Sequence, residues 1–245
     1  MATEILTLEE VVAGYGKMTI LHGTTCSVAR GAITTVIGPN GAGKSTMFKT
    51  VFGMLPARSG CILFEGAEIT NLAPRDLLAR GISYVPQGRN IFPELSVRHN
   101  LELGAVMAPA AFDLSGRMEA AMARFPVLRR KADQQASTLS GGEQKIMEIA
   151  RALLIEPKLM LIDEPSIGLS PIMVNELFAV LTEMRDRGIT VLLIEQNAKR
   201  ALESSDYGIV LELGRTRIAD TAQNILNDPR IGQLFLGGGL QEKVA

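Results

Sequence analysis

The chain has 245 residues, of which 47% are hydrophobic and 4% aromatic, with no tryptophan. That length supports one large domain, or a main domain carrying a small insertion, built on an aliphatic core. A formal net charge of −1 lacks the basic excess of a nucleic-acid binder, and no apolar run reaches the about 18 residues of a membrane helix.

Met1-Ala2-Thr3-Glu4-Ile5 has no basic segment leading into an apolar one. This argues against a signal peptide and for a soluble, cytoplasmic chain. The compact basic cluster Arg129-Arg130-Lys131 reads as a solvated helix face. Cys26 and Cys61 lie in apolar, strand-like segments and read as buried free thiols.

The chain opens on strands at Ile5 to Val12 and Ile20 to Val28, with a turn at Gly14-Tyr15-Gly16. Ala32 to Ile37 is an almost unbroken β-branched run, as suits a strand buried on both faces. It ends at Gly38, and a helix is expected from Lys44 to Met54. Cys61 to Phe64 is a further strand. Pro74 opens a helix that runs to Arg80 and stops at Gly81, and Ile82 to Val85 is a strand ended by Pro86. From Ser96 to Leu154 the pattern turns helical, with Ser96 as an N-cap and helix formers through Gly116 to Arg124. Residues from about 90 to 155 read as a helical insertion between strands of one sheet.

Alternation then returns. A strand is expected at Leu159 to Ile162 and an amphipathic helix at Pro171 to Arg187, stopped by Gly188. A strand at Ile189 to Ile194, a short helix at Ala198 to Ser204 and a strand at Tyr207 to Leu213 follow. The tail from Thr221 to Leu236 reads as helical, before a loose Gly237-Gly238-Gly239. Strands alternating with helices give an α/β class.

Gly38-Pro39-Asn40-Gly41-Ala42-Gly43-Lys44-Ser45 fits G-x-x-x-x-G-K-[ST], with Thr46 next. Triphosphates need several donors aimed at one point. Glycines let the loop curl so that backbone N–H groups face inward, and the following helix adds its positive end. Lys44 reaches the β- and γ-phosphates and Ser45 ligates Mg²⁺ in such a loop. A buried strand before it and a helix after it supply the right context. The expected cofactors are ATP and Mg²⁺.

Leu159-Met160-Leu161-Ile162-Asp163-Glu164 is an apolar strand ending in two acids, with Asp163 119 positions beyond Lys44. Successive side chains at a strand end point to opposite sides. Asp163 is therefore expected at the metal, and Glu164 at a separate space suited to an attacking water.

Leu139-Ser140-Gly141-Gly142-Glu143-Gln144 opens a helix and reads as a second anion-binding helix start. A plain Ser-capped helix leaves two glycines in the first turn unexplained, because they weaken a helix. One triphosphate hardly needs two cradles from one chain. The economical reading is that the second cradle serves a nucleotide held by another subunit.

Leu139 to Gln144 resembles the signature of ABC cassettes, and it precedes the Asp163-Glu164 strand as in that family. The resemblance covers nearly the whole chain. It implies a P-loop NTPase fold, the ABC-type nucleotide-binding domain, with an N-terminal antiparallel β-subdomain and an inserted α-helical subdomain. It implies a head-to-tail dimer with a second ABC ATPase subunit, identical or sister, in which Ser140 and Gly142 contact the partner's γ-phosphate and Gly141 belongs to the same nucleotide-binding set in trans. By the same likeness Tyr15 resembles the aromatic that stacks on adenine. Gln87, after Tyr84-Val85-Pro86, resembles the glutamine that joins the Mg²⁺ and water network and hinges the helical part. Ser166-Ile167-Gly168-Leu169-Ser170-Pro171 resembles the loop that crosses the dimer interface.

After Val191-Leu192-Leu193-Ile194-Glu195, most ABC cassettes place a histidine at the γ-phosphate; here the residue is Gln196. Glutamine donates a hydrogen bond but carries no proton charge near neutral pH. Catalysis is thus expected from Glu164, Gln87 and Gln196. Glu195-Gln196-Asn197, Gly168-Leu169-Ser170-Pro171, Asn90-Ile91-Phe92-Pro93 and Leu234-Phe235-Leu236-Gly237 resemble the second ATP-binding subunit of branched-chain amino-acid importers. That branch implies two membrane permeases, an indirect periplasmic solute-binding protein, no nucleic acid, and a peripheral position on the cytoplasmic face of the inner membrane. Apolar Ile91, Phe92 and Leu95 would form the groove for a permease helix. The alternatives are urea or amide import, a soluble non-transport ABC ATPase, and a subunit that binds ATP without hydrolysing it.

Overall fold

The computed structural model describes residues 3–108 and 112–231. β1 (Glu4–Tyr15) and β2 (Met18–Ala29) form an antiparallel hairpin that closes on the pair Tyr15 and Met18. Its turn is Gly16-Lys17, with Gly16 at φ 54, so Gly14 and Tyr15 end β1 instead of forming the turn. β3 (Ile33–Ile37) is buried along its length and runs through the glycine-rich loop into α1 (Lys44–Val51). α1 stops three residues short of the expected Met54 because Gly53, at φ 68, closes it: Met54 N–H donates back to Lys49 O at 2.8 Å.

β4 (Ala57–Phe64) pairs with the free side of β1, and the two-residue β5 (Ala67–Glu68) pairs with β4. α2 (Pro74–Ala79) leads to β6 (Ile82–Val85). Between β6 and β7 (Leu159–Asp163) lie α3 (Val97–Glu102), α4 (Leu114–Arg124), α5 (Pro126–Arg130) and α6 (Gly141–Leu153). Ser96 caps α3 by accepting His99 N–H at 3.1 Å. These helices close on a core of their own, with Val97, Leu101, Met122, Leu128 and Met147 buried together.

α7 (Pro171–Asp186) ends at Gly188, φ 87, and β8 (Thr190–Ile194) follows. α8 (Ala198–Glu203), β9 (Tyr207–Glu212), β10 (Arg215–Thr221) and α9 (Ala222–Leu226) complete the described chain. The hairpin β9–β10 turns on Leu213 and Gly214, at φ 47 and 69, the doubly positive turn that matches strand twist. β10 and β5 have no counterpart in the sequence reading. β10 is exposed along most of its length and shows no apolar alternation. The helix expected from Thr221 to Leu236 is interrupted: α9 ends at Leu226, helix returns at residues 229–231, and Leu234, Phe235, Leu236, Gly237, Gly238 and Gly239 lie outside the described residues.

The second sheet has the order β10-β9-β3-β8-β7-β6, parallel except for β10. Alternation within its buried strands feeds two cores. Leu161, Leu192 and Ile194 face the first sheet and α1 beside Leu6, Phe48 and Ile62. Met160, Ile162, Val191 and Leu193 face α7 beside Leu177, Phe178 and Leu181. The order β3-β8-β7-β6 has a direct consequence. The carboxyl ends of these strands stand in a row, so the loops beginning at Gly38, Glu195, Glu164 and Pro86 share one edge.

Cys26 is buried and Cys61 only half-buried, and both are free thiols. Among the described residues no helix is long and apolar enough to cross a membrane.

Candidate nucleotide-binding and catalytic site

The loop Gly38 to Ser45 takes its shape from three positive-φ glycines, Gly38, Gly41 and Gly43, at φ 153, 81 and 102. Gly38 is also forced by packing, since a Cβ there would lie 2.0 Å from the Leu211 carbonyl oxygen. Two hydrogen bonds set the curl: Ala42 N–H to Pro39 O at 3.1 Å, and Gly214 N–H to Ala42 O at 2.9 Å. Lys44 is buried and folds back over the loop, its Nζ donating to Gly38 O at 2.8 Å and Pro39 O at 3.1 Å. Burial lowers its pKa, and the nearby Glu164 and Asp163 oppose that shift. No side chain caps the N-terminus of α1. Its leading N–H groups are left for an anion, and Thr46 is buried in its first turn.

Asp163 ends β7 beside this loop. Ser45 Oγ donates to its Oδ1 at 3.4 Å and Tyr84 OH to its Oδ2 at 3.3 Å. Burial raises the Asp163 pKa, against the hydrogen bonds from Ser45 and Tyr84. No cluster of three His, Cys, Asp or Glu stands ready for a metal among the described residues. One hydroxyl and one carboxylate, completed by phosphate oxygens, is nevertheless the hard donor set that Mg²⁺ takes, and the residues fit it.

Glu164 goes elsewhere. Its carboxylate Oε2 accepts Gln87 Nε2 at 2.8 Å, while its N–H reaches across to Ile194 O at 2.9 Å. The two acids diverge by a different route from the strand alternation expected. Glu164 already lies beyond β7 and sits at φ 47, a left-handed conformation unfavourable by about 1–2 kcal/mol for a residue with a Cβ. Burial raises its pKa, the adjacent Asp163 adds to the rise, and Lys44 opposes it. Gln87 therefore meets Glu164, and no hydrogen bond joins it to the Ser45–Asp163 pair.

Tyr15 ends β1, 47% exposed, with Lys49 Nζ of α1 5.9 Å from its ring centroid. An open aromatic face thus stands beside the phosphate loop's helix. Gln196 is exposed just past β8. Its predecessor Glu195, named in the sequence only as part of Glu195-Gln196-Asn197, has a role that the motif did not give it. Glu195 is buried, and its carboxylate accepts Ser166 N–H at 3.0 Å, Ser166 Oγ–H at 2.7 Å and Gln196 N–H at 3.2 Å. The available signal was a charged residue ending an otherwise apolar strand, which needs a partner when buried.

Ser140, Gly141 and Gly142 start α6, which packs on α3, α5 and β6. A complete capping box explains Ser140 within the chain: it accepts Glu143 N–H at 3.4 Å, and Glu143 Oε2 accepts Ser140 N–H at 2.8 Å. The two glycines differ. A Cβ on Gly142 would lie 2.3 Å from Met173 Cε, whereas one on Gly141 would meet nothing within 4 Å. Gly142 is thus crowded only by the flexible, half-buried Met173 side chain, and Gly141 lies on an open face, unexplained by the isolated subunit.

The ABC transporter family matches residues 21–167. The chain is 41% identical over 234 residues to the high-affinity branched-chain amino acid transport ATP-binding protein BraG of Pseudomonas aeruginosa, covering 96% of this chain and 100% of that one. It is 38% identical to the probable branched-chain amino acid transport ATP-binding protein LivF of Archaeoglobus fulgidus, with 92% and 95% covered. The lipopolysaccharide export ATP-binding protein LptB of Haemophilus influenzae is 31% identical, with 95% and 97% covered. Among solved structures, the ADP conformation of an ATP-binding cassette from an ABC transporter superposes with a TM-score of 0.84 at 32% identity, over 96% of this chain and 99% of that one. The chain belongs to the ABC transporter family, and it is an ATPase subunit whose hydrolysis is coupled to transport.

Proposed function

We propose that this subunit hydrolyses Mg·ATP to drive import of branched-chain amino acids. The division of labour between two adjacent acids carries the catalytic part: Asp163 is bonded to Ser45 at 3.4 Å and Glu164 to Gln87 at 2.8 Å. Residues 38 to 46 cradle the phosphates, Lys44 swings from its loop carbonyls to the β- and γ-phosphates, and Tyr15 stacks on the base. Ser45 and Asp163 would hold Mg²⁺, which would supply positive charge at the phosphate oxygens. Glu164, with a raised pKa and an amide partner, holds and polarises the attacking water, and Gln87 steers that carboxylate. Gln196, beside Ser166, positions the γ-phosphate. Placement and charge neutralisation supply most of the rate in this chemistry.

The open Gly141 face supports a partner's nucleotide in a head-to-tail dimer, homotypic or with a sister ATPase. The helical segment from about 90 to 155 then acts as a subdomain that carries this face. The shallow groove lined by Ile91, Phe92, Leu103, Val106 and Met107, with Phe92, Val106 and Met107 exposed, receives a helix from one of two permeases. A periplasmic binding protein delivers the solute to those permeases, and the subunit sits on the cytoplasmic face of the inner membrane. The branched-chain assignment rests on the BraG and LivF likenesses.

Turnover by the assembled complex tests the catalytic part. Glu164→Gln is expected to lower kcat by about 10²–10⁴-fold with ATP binding kept; unchanged turnover would remove Glu164 from the role of base. Uptake by the complex in proteoliposomes tests the cargo. Leucine, isoleucine and valine should be accumulated and urea should not; uptake of urea alone would overturn the assignment.

A further inference from the structure

The edge of the parallel sheet opposite the nucleotide site holds a second concavity. Here α4 and the end of α6 stand over the entrances to β7 and β8, enclosing about 420 Å³. That volume falls in the range of small-molecule sites, about 300–1,000 Å³. The five-residue strands that separate it from the phosphate loop span about 17 Å, so an occupant here does not touch the nucleotide.

Charge and burial at this cavity are unbalanced. Arg30, Arg117, Arg124, Lys158 and Arg187 face it, against the single carboxylate of Glu156. The carboxylates around them are shared. Glu65 pairs with both Arg30 at 2.8 Å and Lys158 at 2.6 Å, and Glu183 with both Arg187 at 2.6 Å and Arg124 at 3.5 Å. Glu156 pairs with Arg117. Five cations thus meet three carboxylates. Arg124 is the deepest of them, its side chain 12% exposed. Its Nε faces Glu183 Oε2 at 3.5 Å, and its Nε and Nη2 are shielded from solvent with no hydrogen bond. That edge of the guanidinium is turned onto Glu183, a carboxylate it shares with Arg187, while the residue also lines the cavity. The rest of the lining is apolar, with Phe125 and Leu154 buried and Ala121 and Ile189 beside them.

We infer that this cavity is a ligand site for a small organic anion, with its carboxylate among the guanidinium groups of Arg117, Arg124 and Arg187 and a short apolar body against Phe125 and Leu154. The bound anion balances the cation excess that Glu65, Glu156 and Glu183 leave. It also bridges the helical segment, through α4 and α6, to the entrances of β7 and β8. It therefore braces one layer of the fold against the other from the side remote from ATP. This inference stands apart from the proposed cargo and would survive its failure.

Calorimetric titration of the purified chain with 4-methylpentanoate tests it, with 4-methylpentan-1-ol as the uncharged analogue and inorganic phosphate as the bare anion. The carboxylate is expected to bind saturably, one per chain, and to raise the melting temperature. The alcohol and phosphate should each bind at least about tenfold more weakly. Arg124→Met should weaken carboxylate binding about tenfold or more. Ala120→Phe, at an exposed position on the lining, should abolish it by filling the mouth without changing charge. Arg98→Met, whose pair with Asp133 lies elsewhere, should bind as wild type. Urea midpoints and ATP turnover report whether each variant is folded; should Arg124→Met unfold, Ala120→Phe decides alone. No saturable binding at millimolar carboxylate, binding unchanged in Ala120→Phe, or phosphate binding as tightly as the carboxylate overturns the inference.

Discussion

Glu195 holds Ser166 twice, accepting its N–H at 3.0 Å and its hydroxyl at 2.7 Å. One buried carboxylate thereby ties the loop after β7 to the loop after β8, and a third bond to Gln196 N–H at 3.2 Å sets where Gln196 begins. Replacement Glu195→Gln keeps the shape but turns an amide N–H₂ toward donors. It should lower stability by about 1–3 kcal/mol. Turnover in the assembled complex should fall further than the ATP KM rises, because two loops at the site shift together. Ser166→Ala should show the same pattern more weakly. Wild-type urea midpoints and kcat in Glu195→Gln would mean that the clamp positions nothing.

The two glycines that open α6 should separate stability from function. Gly141→Ala meets no atom within 4 Å and should stabilise the isolated chain by about 0.5 kcal/mol through helix propensity. It should nevertheless depress turnover of the assembled complex, where its methyl points at the partner. Gly142→Ala should show little of that gain, because its methyl must push the flexible, half-buried Met173 side chain aside, and adding Met173→Ala should restore it. Thermal melts and ATPase rates measure the two effects. Full activity in Gly141→Ala would refute a partner nucleotide at this face.

A buried ion pair fastens α6 to the loop after β6. Lys145 Nζ donates to Glu148 Oε2 at 2.6 Å and to Gly88 O at 2.9 Å, while Glu148 Oε1 accepts Asn90 N–H at 2.6 Å. Both side chains are at most 9% exposed. Lys145→Met alone leaves Glu148 buried without its cation and should cost about 3–5 kcal/mol. Lys145→Met with Glu148→Met should recover much of it. Urea unfolding of the single and double variants checks this, and additive losses would show that the two charges act independently.

Asp163, Glu164 and Glu195 share one direction: burial raises the pKa of each. A carboxyl whose folded pKa lies above its unfolded value binds its proton better in the fold. Its contribution is present below the unfolded value, 4.5 for a glutamate here, and is lost as pH rises through the folded value. Glu164→Gln cannot ionise, so it should melt above wild type at about pH 8, with the gap closing toward about pH 5. A gap that widens on acidification would reverse the sign and refute the burial of Glu164.

The phosphate loop, the capped start of α6 and the acid pair were legible because each is a contiguous run whose chemistry is local. Boundaries moved where a single backbone conformation decided them, as at Gly53, which ends α1 early, and Glu164, whose positive φ separates the acids. β10 escaped notice because an exposed edge strand shows no apolar period.

By itself the sequence determined that a strand, a glycine-lined loop and a helix would cradle phosphates, and that a second glycine-lined helix start lay far along the chain. Only the tertiary structure decided that β3, β8, β7 and β6 stand side by side, bringing Ser45 to Asp163 across 118 positions and Ser166 to Glu195 across 29. It also decided that Gly142 lies against Met173 while Gly141 stays open, and that five cations around one cavity share three carboxylates. Local conformational preference is written residue by residue. Burial and unmet hydrogen bonds depend on which distant segments pack together, and no short stretch of sequence carries that information.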